Sequence, residues 1–207
     1  MWDKKIIKKF YNWLDLTTSL NTLSSMHLYY PLWTSISPHT SSSLIIGAFD
    51  GIHWWHYSLW QTAYRYPQDI VVLTFDPPPK TYFTHQNQFQ SLEDRYEIMM
   101  AWKTRMVYVL DFDLSIVQLS ALDFINQILS QIMIARIIVW QDFRFGYQQE
   151  WDIHLLKEYY TCDIVTWSEN KISSSMIRDN PDHYNYQLVK LDHYPHRWSD
   201  AIHHQTF

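Results

Sequence analysis

Glycine is nearly missing from this chain of 207 residues, occurring only as Gly47, Gly51 and Gly146, against an average usage of roughly 7%. Positions that need positive φ or close backbone approach should hold the glycine that remains, and all three fall inside the motifs below. Cysteine is scarcer still, with Cys162 alone. That excludes an intrachain disulfide framework and a multi-cysteine zinc site, and it fits a reducing cytoplasm. Positive charge is not in excess either: 16 Lys and Arg against 21 Asp and Glu give a formal charge of −5 and a pI near 6.1. Without a global basic field the chain is not expected to bind nucleic acid, and any nucleotide must be held by a local site. Between Trp2 and Leu20 no long apolar run is present, so this segment fits neither a signal peptide nor a membrane span.

What is present is apolar and aromatic: hydrophobic residues make up 47% of the chain and tryptophan occurs 11 times, enough for one sizeable core. Trp2, Ile6, Phe10 and Trp13 form a stripe with the lysines mostly off it, which predicts an amphipathic helix over Trp2–Leu16. It is expected to pack on the domain or on a partner rather than on lipid. Pro31–Ser43 reads as a loop. An alternation follows. Strands are predicted at Leu44–Phe49, Ile70–Phe75, Met106–Leu110, Arg136–Trp140 and Ile164–Trp167. Helices are predicted at Trp55–Tyr66, from Ser91 and Asp94 to Trp102, from Ser120 and Asp123 to Gln131, and at Glu150–Tyr160. The two Ser-x-x-Asp spacings are capping-box signals. Near-continuous apolar strands separated by helices predict an α/β, Rossmann-like parallel sheet with helices on both faces. The expected organisation is an N-terminal helix and loop over 1–40, one domain over 41–180, and a tail over 181–207.

In such sheets ligands bind beyond the carboxyl ends of the strands, where the strand order reverses. The chemistry-bearing residues sit there. His53 and His56, three residues apart after the first strand, are placed to donate hydrogen bonds to phosphate oxygens near a helix start. In isolation such a pair is more often structural, and with no cysteine or clear third ligand nearby no metal site is expected. Ser173, Ser174 and Ser175 follow the last strand, and Arg178 one turn on offers a fork for phosphate. A lone serine run is ordinarily a loop; at this place in the alternation it reads as a polyphosphate cradle. The histidines of the tail, His183, His193, His196, His203 and His204, have no regular spacing and read as surface.

Four segments in order resemble the FMN adenylyltransferase module of bacterial FAD synthetases. Gly47-Ala48-Phe49-Asp50-Gly51-Ile52-His53-Trp54-Trp55-His56 is similar to G-x-F-D-G-x-H-x-G-H, and Thr74-Phe75-Asp76-Pro77-Pro78-Pro79 to T-F-x-P-H-P. Asp142-Phe143-Arg144-Phe145-Gly146 is similar to D-F-x-F-G, and Ile172-Ser173-Ser174-Ser175 with Arg178 to I-S-S-[ST]-x-x-R. The resemblance implies a nucleotidyltransferase fold that joins AMP from Mg2+-bound ATP to FMN, giving FAD and pyrophosphate. It implies that His53, His56, Ser174 and Arg178 act on the phosphates. Gly47, Phe49, Asp50, Gly51, Phe75 and Pro77 would shape the substrate site, as would Asp142, Phe143, Phe145, Ser173 and Ser175. The partners implied are the small molecules FMN and ATP, with the oligomeric state left open, and the place of action is the cytoplasm.

Three positions depart from the family pattern: Trp55 replaces the glycine of H-x-G-H, Pro78 the histidine of P-H-P, and Trp140 a glycine ahead of D-F-x-F-G. Each removes something the ATP half of the site would use. Two alternatives therefore stand beside the adenylyltransferase: a flavin- or nucleotide-binding protein without turnover on the same fold, and an adenylyl- or cytidylyltransferase for another phosphate substrate. About thirty residues follow Arg178, so no riboflavin kinase domain is expected.

Overall fold

The computed structural model describes residues 11–15, 26–31, 40–149 and 151–166. Its strands are β1 (Tyr11–Asp15), β2 (Met26–Pro31), β3 (Ser42–Ile46), β4 (Ile70–Asp76), β5 (Thr104–Asp111), β6 (Ile134–Trp140), β7 (Arg144–Phe145), β8 (Trp151–Asp152) and β9 (Cys162–Val165). Its α-helices are α1 (Tyr57–Ala63), α2 (Pro79–Thr84), α3 (Leu92–Ala101), α4 (Leu114–Val117), α5 (Ala121–Gln127) and α6 (Ile153–Tyr159). Seven strands form one sheet in the order β1-β2-β5-β4-β3-β6-β9. From β5 to β9 all neighbours are parallel. Counted along the chain, that parallel part runs third, second, first, fourth, fifth, the doubly wound Rossmann order, with its reversal point between β3 and β6.

Alternation along the strands divides the core into two layers. Leu44, Ile46, Val71 and Leu73 face one side with Phe124 and Leu156, from α5 and α6. Ile45 and Val72 face the other with Leu59 and Trp60 of α1 and Met99 of α3. Because both faces are covered, both sets of positions must be apolar, and that is why the strands read as unbroken hydrophobic runs. Part of the tryptophan content is spent here. Trp60 is fully buried, lies edge-on to Trp102 at 4.8 Å, and donates its indole N–H to Thr104 Oγ1 at 2.9 Å, so its polar atom is satisfied as burial requires.

The serine signals mark helix starts as expected. Ser91 Oγ accepts from the Asp94 amide at 3.1 Å while Asp94 Oδ2 accepts from the Ser91 amide at 3.3 Å, and Ser120 Oγ accepts from the Asp123 amide at 3.1 Å. Three expectations are corrected. The helix over Trp2–Leu16 does not hold for Tyr11–Asp15, which is β1, antiparallel to β2; the remainder of that helix lies outside the described residues. Tyr11 and Trp13 are strong strand formers, and pairing with β2, itself antiparallel to β5, overrides the helical stripe. The expected loop begins and ends inside strands, at Pro31 of β2 and at Ser42 and Ser43 of β3. The first helix begins as a 3-10 turn, Trp54–His56, and becomes α-helical only at Tyr57.

Candidate active site

The loop after β3 is built around close approach. A Cβ on Gly47 would stand 2.7 Å from Cζ of Phe49, so this glycine lets the phenyl ring fold back over the strand end. Phe49 itself has φ of 52°, an uncommon conformation for an aromatic residue. It is held there by burial and by edge contacts with His56 and Trp60, each at 5.5 Å. Asp50 Oδ1 accepts from the Phe89 amide at 2.7 Å and the Gln90 amide at 3.5 Å, and Gln90 Oε1 accepts from the Ile52 amide at 2.6 Å. These three bonds brace the loop against the segment entering α3.

That bracing presents the histidines together. The rings of His53 and His56 lie 4.0 Å apart between centroids. The His53 amide donates to His56 Nδ1 at 3.2 Å, and the His56 amide donates to the His53 carbonyl at 2.9 Å. With Nδ1 engaged as acceptor, the proton of neutral His56 is on Nε2. Burial, helped by the neighbouring His53, pushes the His56 pKa well below the usual histidine value. His53 is buried.

Beside this loop, the end of β4 carries Thr74, Phe75 and Asp76, with Pro77 after them. One buried side chain, which no sequence motif marked, ties the two loops together. Arg95 of α3 is fully inaccessible. Its Nη1 donates to the Ala48 and Phe75 carbonyls, both at 3.0 Å, and its Nη2 pairs with Asp76 Oδ1 at 2.8 Å. The signal was present: Arg95 lies three residues after Leu92 and four before Met99, on the apolar face of its helix. A charge there is kept only where partners wait. Burial raises the Asp76 pKa, and it lowers that of Arg95, in each case against the attraction of the partner.

Beyond the ends of β4, β5 and β6 lies a cavity of about 260 Å³ walled largely by phenylalanines, among them Phe75, Phe112, Phe143 and Phe145. Phe143 stacks on Phe145 at 5.8 Å, and Phe112 lies edge-on to both Phe75 and Phe83. Gly146 closes the wall with φ of 78°. A Cβ there would stand 2.8 Å from the Ala121 amide nitrogen, so backbone conformation and packing both require glycine. Asp142 is exposed. The loops carrying Gly47 to His56, Phe75 to Pro77 and Asp142 to Gly146 thus all follow the carboxyl ends of parallel strands, the first tied to the second by Arg95 and the second to the third by the cavity wall; Ser173, Ser174, Ser175 and Arg178 lie outside the described residues. Phe83 and Phe112 join the cavity without a sequence motif to mark them. Among the described residues no group of three or more His, Cys, Asp or Glu is placed to hold a metal.

A family model described as FAD synthetase matches residues 35–177 of this chain. The chain belongs to the FAD synthetase family. Its relatives include a bifunctional riboflavin kinase/FMN adenylyltransferase of Buchnera aphidicola from Schizaphis graminum, 31% identical over 157 residues that cover 68% of this chain and 50% of the relative. A putative protein of the same description from Geobacillus thermodenitrificans is 30% identical over 67% of this chain and 81% of its own length. The Escherichia coli K12 protein so described is 28% identical over 70% of this chain and 51% of its own. The chain therefore spans about half the length of most of these relatives. A crystal structure described as a macrolide-efflux protein from Streptococcus pneumoniae superposes with a TM-score of 0.61 at 26% identity, covering 70% of this chain and 52% of the other. The FAD synthetase match takes in all three loops and the serine run, and it ends one residue before Arg178.

Proposed function

We propose that this FAD synthetase family member is an FMN adenylyltransferase that makes FAD and pyrophosphate from FMN and Mg2+-bound ATP. The observation that carries the reading is that a paired-histidine turn after β3 and an aromatic cavity beyond β4, β5 and β6 both lie at the carboxyl ends of the parallel strands, where such sheets bind ligands. In this reading an oxygen of the FMN phosphate attacks the α-phosphorus of ATP in line. The bond from that phosphorus to the bridging oxygen breaks, and pyrophosphate leaves without a covalent enzyme intermediate. His53 and His56 supply donors where charge develops, and positioning does most of the remaining work. Ser173, Ser174, Ser175 and Arg178 are assigned the departing pyrophosphate. Magnesium enters with ATP, held mainly by its phosphates. Among the described residues no helix is long and apolar enough to cross a membrane. A cytoplasmic setting suits Cys162, whose half-buried thiol has its pKa pushed up to about 11 by burial and stays protonated near neutral pH. Incubation of the purified chain with FMN and Mg2+-ATP is expected to yield FAD and pyrophosphate in equal amounts; binding of either substrate without product would favour the non-catalytic reading instead.

Trp55 bears on how well ATP is held. It stands within the histidine turn, half-buried and, among the described residues, in neither core cluster. In the reading proposed it crowds the ATP side of the site. Trp55→Gly is expected to tighten ATP binding, measured by calorimetry at fixed magnesium, while costing about 1 kcal/mol of stability from glycine near a helix start. Tight wild-type binding that the substitution leaves unchanged would refute the crowding.

A further inference from the structure

Polar groups are unevenly spread around the aromatic cavity. Ile116, Phe124 and Phe145 of its wall are buried, whereas Arg144 and Gln148 are exposed, so part of the wall is closed and apolar and part is open and polar. Arg144 is the single charged residue in that wall. Its ion pair with Asp152, at 3.3 Å with the two side chains 51% and 36% exposed, is a loose tether of the kind that contributes little. Most of the five-donor guanidinium fork is thus left for a ligand.

We propose that Arg144, with Gln148 beside it, sets the orientation of the flavin ring. The carbonyls of the pyrimidine edge accept from the guanidinium, the ring N–H between them donates to the Gln148 amide oxygen, and the dimethylbenzene end lies against Ile116 and Phe124. The inference rests on the flavin reading of this cavity. The reverse orientation would bury both carbonyls against aliphatic and phenyl groups that offer no donor, which is unfavourable.

The test is quenching of flavin fluorescence by the full chain, titrated with FMN and with riboflavin, which shares the ring and lacks the phosphate. Arg144→Met is expected to weaken both flavins by the same factor, roughly tenfold or more as for a lost charge-assisted hydrogen bond, and to leave ATP affinity unchanged. Arg144→Lys keeps the charge but not the fork, so an intermediate loss is expected. A loss confined to FMN would assign Arg144 to the phosphate and overturn the inference, as would unaltered binding of both flavins. If the wild-type chain quenches neither flavin, the flavin reading of the cavity falls, and this inference with it.

Discussion

Replacing His53 or His56 with alanine is expected to lower FAD synthesis by roughly 100-fold or more, the loss typical of removing a preorganised donor to a developing oxyanion. The geometry of the pair suits that role. His56 is held by its Nδ1 contact to the His53 amide at 3.2 Å, which directs Nε2–H away from the backbone. Burial and the neighbouring imidazole hold its pKa well below the ordinary value, so it is neutral near pH 7 and donates through Nε2. The same shift gives a second readout. Unfolded histidine titrates near pH 6.5, and the folded chain resists taking up that proton at His56. The stability contributed is complete above about pH 6.5 and is lost as the pH falls from there toward the lower folded value. His56→Gln should flatten this loss, measured as urea unfolding at a neutral and a mildly acidic pH. Because His53 is buried, each variant is assayed for rate at a pH where its unfolding transition is intact. A folded variant with wild-type turnover would make the histidines structural and end the catalytic assignment.

The parallel sheet could be read from the chain because strands covered on both faces leave long apolar runs, and Ser91 and Ser120 announced their helices through local hydrogen bonding. β1 and β2 could not be read in the same way. Tyr11–Asp15 overlaps a helical stripe, and its strand conformation comes from pairing with β2, which docks on a β5 lying some eighty residues further on. Local pattern competes poorly with such a contact. At the site the residues in short motifs were legible: Gly47, Phe49, His53, His56, Phe143, Phe145 and Gly146 all lie in the loops where the strands end. Asp50 was expected to help shape the substrate site, and its Oδ1 accepts from the Phe89 and Gln90 amides. Phe83 and Phe112 come to the cavity through tertiary packing of separate elements, which no spacing in the sequence encodes.

Arg95→Met should be the most destabilising single change near the site. Breaking a buried ion pair from one side costs about 3–5 kcal/mol, because the remaining polar groups lose their partner without regaining water. Here the orphans are the Phe75 carbonyl, the Asp76 carboxylate and, in part, the Ala48 carbonyl, which still accepts from Thr74 Oγ1 at 3.1 Å. Asp76 keeps 37% of its side chain exposed, so water relieves some of the loss and the lower end of about 3–5 kcal/mol is expected. Lysine is a poor substitute, since a single ammonium cannot span two carbonyls and a carboxylate in the fixed directions of a guanidinium. The pH dependence separates charge from packing. Burial already raises the Asp76 pKa with Arg95 in place, and without Arg95 it rises further. The deficit of the variant relative to wild type should therefore be largest near neutral pH and shrink as Asp76 takes up its proton on acidification. Adding Asp76→Asn to Arg95→Met should recover part of the loss for the same reason. Equilibrium unfolding in urea across that pH range is the measurement. A deficit that does not change with pH would mean that Arg95 acts by filling space, and a deficit under about 1 kcal/mol would mean that the two loops are held by their other bonds.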